Sequence, residues 1–286
     1  MQVNRPTAIF FRAAVVAYAA LALLTGLGEA LGAQSAPSFV DPDLRLDRPA
    51  LAGVRAIRFL TTDDYPPLNF ALADGSLTGF NVDVARAICK ELDIGCTIQA
   101  RPWNTLIDAL ASGKGDAVIA SIAASNAVRA EIDFSVPYYM TPARFIARRD
   151  AGPFPMTAAG LAGRTVGVVA GTAHQAYLSL FFPGAKLKLF ANPAELEGGL
   201  KSNDVALAFA DGLTASIWLN GDDGSKCCEF RGGPYLESRF FGEGVGIAVR
   251  KDDQELRKAF NWALARLMKT GAYSEIYLKY FPIDFY

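Results

Sequence analysis

The sequence predicts an α/β protein made of two units, each a mostly parallel sheet covered by helices on both faces. Three observations predict it. The chain has 286 residues, more than one typical domain and enough for two cores. From Ala56 to Ala120, short apolar runs alternate with helix-length amphipathic stretches, the pattern of parallel strands joined by helical crossovers. After Tyr139 the same rhythm starts again, without a sequence repeat.

Taken in order, the first strand falls at Ala56 to Thr61 and ends in DDYPPLNF, whose two prolines cannot continue a ladder. Asn81 is expected to cap a helix running to about Leu92, with Ala85, Ile88 and Leu92 inward. A strand at Cys96 to Ala100, a helix from Thr105 to Ser112 stopped by Gly113, and a buried strand at Ala117 to Ala120 follow. In the second unit, strands are expected at Thr165 to Val169, Leu187 to Leu189 and Ala206 to Ala210. Its helices are expected at Ala173 to Phe181, Pro193 to Ser202 and Leu213 to Leu219, and the segment Asn220 to Arg231 reads as turn-rich. A last strand, Gly246 to Val249, precedes the strongest helix, begun by Asp252 or Asp253. Leu256, Phe260, Ala263 and Leu267 share one face of it, and Gly271 ends it. A final helix spans Ala272 to Tyr280.

Residues 1–33 read as a cleaved signal peptide: Arg5 and Arg12 precede an apolar run from Ala13 to Leu24, and small residues lead to cleavage near Ala33. A single-pass anchor is the alternative, set against by the shortness of the run and its interruption at Gly26, Gly28 and Glu29. Residues 34–54, rich in Pro and Asp and aperiodic, read as a tether. An exported protein can hold disulfides, so Cys89 and Cys96, astride a helix end and the next strand, are paired. Cys227 and Cys228 either bond to each other or stay reduced. With one histidine and no second closely spaced cysteine pair, neither a zinc site nor any cofactor is expected. Balanced charge, 28 basic against 29 acidic residues, gives no sign of a nucleic-acid partner.

The stretch Gly113 to Tyr139 carries the chemistry. A buried strand runs into a small-residue loop with hydroxyls at Ser121 and Ser125, then a short helix bearing Arg129, then Phe134, Tyr138 and Tyr139. A guanidinium beside hydroxyls and helix-start N–H groups is a receptor for a carboxylate, because Arg offers a two-pronged planar donor.

In sequence, the segments DDYPPLNF, GFNVDVARAICKEL, PWNTLIDALASGKGDAVIAS, IDFSVPYY, GRTVGVVAGTAHQAY and FGEGVGIAVRKDDQELRKAFNWAL resemble the family 3 extracellular solute-binding proteins, periplasmic receptors of polar amino acid ABC transporters. The resemblance covers about Arg55 to the C-terminus, and the Cys89 and Cys96 spacing also resembles a disulfide of that family. It implies a two-lobed periplasmic-binding-protein fold of type II, with two hinge strands. Lobe one would comprise residues 55–140 and 244–286, and lobe two residues 141–243. It also implies a monomer that closes on a ligand between the lobes and presents the closed form to a membrane permease.

Carried over residue by residue, the resemblance makes Arg129 the carboxylate-binding arginine, Ser125 the helix-cap hydroxyl and Ser121 a second hydroxyl contact. The loop departs from the family by one residue, and an ungapped match would put Val128 in the arginine's place. Arg129 is preferred because a one-residue insertion costs little and valine cannot bind a carboxylate. Tyr65 resembles the ring that packs on the ligand, with Trp103 opposite. Val169, Thr172, Ala173 and His174 fall where the family offers donors from a helix start, His174 as a rim contact or pH-sensitive group. Asp211 resembles the partner of the ligand's ammonium, so that two lobes would grip the two ends of a zwitterion.

Where cationic-amino-acid binders carry aspartates, Thr62 and Asn81 stand here, pointing to a neutral polar ligand unless Asp63 and Asp64 supply the charge. Two other classes stay open: a dehydratase-like enzyme using Glu243, Asp64 or His174 as acid or base, and a ligand-sensing subunit. The chain has no HExxH motif or phosphate loop.

Overall fold

Ile57, Phe59 and Leu60 lose all solvent contact in the first strand, which anchors a five-stranded sheet. The computed structural model describes residues 47–51, 53–122 and 129–286, all within the unit Ala36–Tyr286. The expected signal peptide, most of the tether, Ser125 and Val128 lie outside the described residues. In chain order the strands are β1 (Ala56–Thr61), β2 (Asp64–Tyr65), β3 (Asn69–Ala71), β4 (Leu77–Thr78), β5 (Gly95–Ala100), β6 (Ala117–Val118), β7 (Asp133–Phe134), β8 (Ala143–Arg148), β9 (Thr165–Val169), β10 (Lys186–Phe190), β11 (Leu207–Asp211), β12 (Cys228–Tyr235) and β13 (Ala248–Val249).

The first sheet has the order β5-β1-β6-β13-β7 and the second β10-β9-β11-β8-β12; β2, β3 and β4 form a small antiparallel sheet. In each large sheet three strands are parallel, as the alternating pattern predicts. In each sheet one strand runs against both of its neighbours, where the chain enters from the other sheet: β8 arrives from the first, and β13 returns from the second, while the edge strands β12 and β7 beyond them point the same way as the parallel three. Each sheet is covered on both faces. Phe59 packs on Phe260 of the helix Gln254–Thr270, ring centroids 5.5 Å apart, while Leu60 and Val118 face Leu106 and Leu110. In the second sheet Phe145 and Phe209 pack with Leu178 on one face, and Ile146 and Ala208 with Leu196 and Leu200 on the other.

The two passages between the sheets run side by side. Tyr138 N–H donates to Val245 O and Val245 N–H to Tyr139 O, each 2.9 Å, an isolated antiparallel bridge. Gly244 sits there at φ 94, and a Cβ on it would meet Met140 Cγ at 2.8 Å. The last residue ties into the same place: Met140 N–H donates to the Tyr286 hydroxyl at 2.7 Å, and Arg144 of β8 donates to the Tyr286 carbonyl.

Several expectations need correction. Asn81 does not cap its helix, which runs Phe80–Leu92 from Gly79. Gly79 takes that position because φ is 124 and a Cβ would lie 2.4 Å from Leu68 O. The strand expected to reach Ala120 is the short β6, and Asn220 to Arg231 is not turn-rich but contains the helix Asp222–Cys227 and the start of β12. The end of the tether is docked: Arg48 donates to Leu92 O at 2.7 Å and stacks on Trp262, and Leu51 packs on the core. Cys89 and Cys96 lie side by side where the helix Phe80–Leu92 meets β5, Cα atoms 6.0 Å apart, as the expected pairing requires.

Candidate ligand-binding site

Asp211 is the last residue of β11 and the N-cap of the helix Gly212–Asn220. Its Oδ1 accepts the Thr214 N–H at 2.8 Å, where the helix dipole favours a negative charge. Its field reaches the first sheet's side of the molecule: partial burial and the Asp211 carboxylate both push the Tyr65 hydroxyl upward. Tyr139, on the first passage between the sheets, is pushed well up by burial and drawn back by a hydrogen bond with Ser121. Tyr65 and Asp211 then raise it further. Tyr65, Tyr139 and Asp211, from three parts of the chain, therefore share one electrostatic environment.

Ser121 is held at φ 65, a left-handed conformation that a non-glycine residue adopts at a cost. The surrounding network over-determines it. Asn69 Nδ2 donates to Thr62 Oγ1 (2.6 Å), Asn81 Nδ2 to Asn69 Oδ1 (2.6 Å) and to Ser121 Oγ (2.9 Å), and the Tyr138 hydroxyl to Asn81 Oδ1 (2.7 Å). Thr62, Asn69 and Asn81 are buried. The amide of Asn81 is thus spent on its neighbours, and Thr62, Asn69 and Asn81 form an uncharged network beside Ser121. Asn69 escapes sequence reasoning because it opens the three-residue strand β3, too short to read directly after the turn at Pro66 and Pro67. The only hint is the spacing of three short polar side chains before and within an apolar helix.

On the second sheet, β9 ends at Val169 and the helix Ala173–Phe181 begins. The Thr172 hydroxyl donates to Val169 O (2.7 Å) and accepts from Gln175 N–H, while the Gln175 side chain accepts Gly171 N–H (2.7 Å). The Thr172 hydroxyl and the Gly171 N–H are therefore committed within the turn. The Ala173 and His174 amides have no intrahelical acceptor. His174 packs between Phe209 (5.8 Å) and Phe241 (5.2 Å), and burial lowers its pKa against the opposing pull of Asp211. Val169, Thr172, His174 and Asp211 line one cavity of about 170 Å³.

Tyr65 is 49% and Trp103 55% exposed, large side chains left open to solvent. Arg129 stands apart from the cavity's lining. Its Nη2 donates to Glu243 Oε2 at 3.1 Å and its guanidinium lies over the Phe134 ring at 5.5 Å. Among the described residues, no group of three or more His, Cys, Asp or Glu is placed to hold a metal ion, and no helix is long and apolar enough to cross a membrane.

A family model described as bacterial extracellular solute-binding proteins, family 3, matches residues 57–283. The chain is 34% identical over 268 residues to the L-arginine-binding protein of Pseudomonas aeruginosa, covering 93% of this chain and 98% of that one. It is 32% identical over 232 residues to the lysine/arginine/ornithine-binding periplasmic protein of Escherichia coli, covering 80% and 89%. Among solved structures, an ancestral cationic amino acid solute-binding protein matches with TM-score 0.60 and 28% identity over 79% of this chain and 96% of that one. The unliganded open L-cystine solute receptor of Neisseria gonorrhoeae matches with TM-score 0.69 over 80% and 94%, at 21% identity a likeness of fold.

Proposed function

Since the chain belongs to the bacterial extracellular solute-binding proteins, family 3, we propose that it is the receptor of an ABC importer, closing two lobes on an amino acid or a close analogue. The observation that carries this reading is the Asp211 carboxylate, anchored at a helix start of the second sheet with its field falling on Tyr65 of the other side. In this reading Asp211 takes the ligand's ammonium and Arg129 its carboxylate, leaving Glu243 as the cleft closes. Ser121, Ser125 and the amides of Ala173 and His174 complete the polar contacts, beside Val169 and Thr172. Tyr65 and Trp103 pack on the ligand. Charge-assisted bonds of this kind strengthen as water leaves a closing site.

The lobes are residues 55–140 with 244–286, and residues 141–243, turning about the paired passages at Tyr139 and Val245. The protein acts as a periplasmic monomer after cleavage near Ala33, with Cys89 and Cys96 oxidised, and delivers its ligand to a membrane permease. Thr62 and Asn81 carry no charge, which favours a neutral ligand over the cationic ones named for its relatives.

The test is a thermal-shift screen of the mature protein against amino acids, opines, polyamines and small organic acids. A ligand at 100 times its Kd stabilises by about 2.7 kcal/mol. One class of zwitterion is expected to raise Tm, and Asp211→Asn to abolish the shift; no shift with any compound overturns the reading. Recovery of the ligand unchanged from the complex separates binding from turnover. An ancestral cyclohexadienyl dehydratase shares the fold at 22% identity, a likeness that extends to architecture alone.

A further inference from the structure

The geometry points to Tyr286 as a positioning residue for closure: the segment Phe281 to Tyr286 straps the two sheets together at their crossing, and the Tyr286 hydroxyl holds that crossing in the setting where Arg129 pairs with Glu243. This rests on the reading above and adds how ligand affinity is set from outside the site.

Three observations carry it. First, the segment belongs to both sides. Phe281 and Phe285 are buried in the core of the first sheet, where Tyr286 packs as well, whereas Ile283 between them packs on the cluster of Ile146, Ala215 and Leu219 in the second. In the other direction Leu213, on the helix that follows β11, is buried within the first sheet's core.

Second, the polar groups of the segment end on the chain where it crosses. The Tyr286 hydroxyl accepts the Met140 N–H at 2.7 Å and donates to the Met140 carbonyl, so one side chain holds both backbone groups of that residue. Met140 directly follows Tyr139, whose bridge to Val245 joins the two passages. The Tyr286 carbonyl accepts from Arg144, a buried guanidinium of β8, and a Cβ on Gly212 would lie 3.2 Å from Phe285 O. Asp284 fixes the shape of the segment: its Oδ1 accepts the Tyr277 hydroxyl at 3.1 Å and the Tyr286 N–H at 2.9 Å.

Third, these contacts depend on the angle between the sheets. The Tyr286 ring sits among rings of the first core, Phe285 at 4.8 Å and Tyr277 at 6.3 Å, while Arg144 and Gly212 belong to the second sheet and its helix. A rotation about Tyr139 and Val245 moves the two sets apart, and hydrogen bonds weaken steeply once their angles are lost. The setting held is the one before closure, because Arg129 is on Glu243 and not on a ligand carboxylate.

Affinity follows from this. A ligand that binds the closed arrangement has its apparent Kd divided by the fraction closed, so a contact that favours the other arrangement weakens every ligand by one common factor.

Tyr286→Phe keeps the ring and removes the hydroxyl. In the mature protein, titrated calorimetrically with the proteinogenic L-amino acids, it is expected to lower Kd about threefold or more, by the same factor for each amino acid that binds. By hydrogen–deuterium exchange the amides of Met140 and of the bridged Tyr138 and Val245 should all exchange faster. Leu264→Val, in the first core alone, should lower Tm and leave Kd unchanged. A Kd for Tyr286→Phe equal to the parent's or higher overturns the strap, as does a factor that differs among amino acids. Faster exchange at Met140 alone overturns it too, since the crossing as a whole is then not held. If no amino acid binds the parent, the receptor reading fails, and exchange at Tyr138 and Val245 still decides the strap.

Discussion

Arg129 and Glu243 are ion-paired, Nη2 to Oε2 3.1 Å, across the region where the chain returns from the second sheet to the first. Both side chains are partly solvated, 37% and 62% accessible, so the pair itself contributes about 0–1 kcal/mol. Its interest is chemical: a carboxylate of the protein sits on the guanidinium assigned to the ligand's carboxylate. Glu243→Gln should therefore raise ligand affinity several-fold and leave Tm almost unchanged. Arg129→Ala should weaken binding by about 2 kcal/mol or more, since the ligand's carboxylate then closes into the site unpaired. Isothermal titration of both variants, with Val128→Ala as the comparison, decides which residue holds the anion.

The buried network gives a stability prediction. Asn81→Ala removes the acceptor of the Tyr138 hydroxyl and the donor to Asn69 and Ser121. Each buried polar group left without a partner costs about 1–3 kcal/mol. Urea unfolding should show a lower midpoint with an unchanged slope, and a midpoint equal to the parent's would mean the network is not formed.

His174 gives a pH dependence. Burial holds its folded-state pKa below the usual 6.5, against Asp211. The unfolded chain takes up a proton first as pH falls, so the stability this residue contributes is complete above about 6.5 and is lost as pH falls through its folded pKa. His174→Gln should flatten the fall in Tm in that window, leaving the steeper loss below pH 4 to the carboxylates. A parallel displacement of the whole curve would contradict it.

How much of this was legible in sequence varies with cause. Thr165 to Val169 and Ala173 to Phe181 have the bounds expected, because alternation and an N-cap threonine are local signals. The apolar face of Gln254–Thr270 was readable for the same reason. By contrast β8, ARFIAR, was hidden by its arginines. Arg144 is buried with its guanidinium over the Phe230 ring at 4.5 Å and donating to Gly232 O and Tyr286 O, partners far along the chain. The same holds at the candidate site. Asp211 and His174 were singled out by residue type and resemblance, whereas the Asn69–Asn81–Ser121 network arises from tertiary packing that no local window contains.

The paired passages predict a mechanical sensitivity. Gly244 has φ 94 and no room for a side chain beside Met140 and Pro137. Gly244→Ala should lower Tm by several degrees through backbone strain of about 1–2 kcal/mol and the added clash. An unaltered Tm, read by calorimetry, would show that this crossing relaxes freely.

Reduction of Cys89–Cys96 should also lower stability. The loop it closes is short, and the chain-entropy model gives about 2–3 kcal/mol. The double variant Cys89→Ser with Cys96→Ser should reproduce the effect of dithiothreitol on Tm. A reductant effect that persists in that variant would place the sensitivity at Cys227–Cys228 instead.

The central claim is that a zwitterion is held between two lobes that move together to hold it. Small-angle X-ray scattering of the mature protein, with and without the amino acid that gives the largest thermal shift, measures this directly. A smaller radius of gyration on ligand addition, absent in Asp211→Asn, is the predicted result. An unchanged radius of gyration with the ligand demonstrably bound would contradict it.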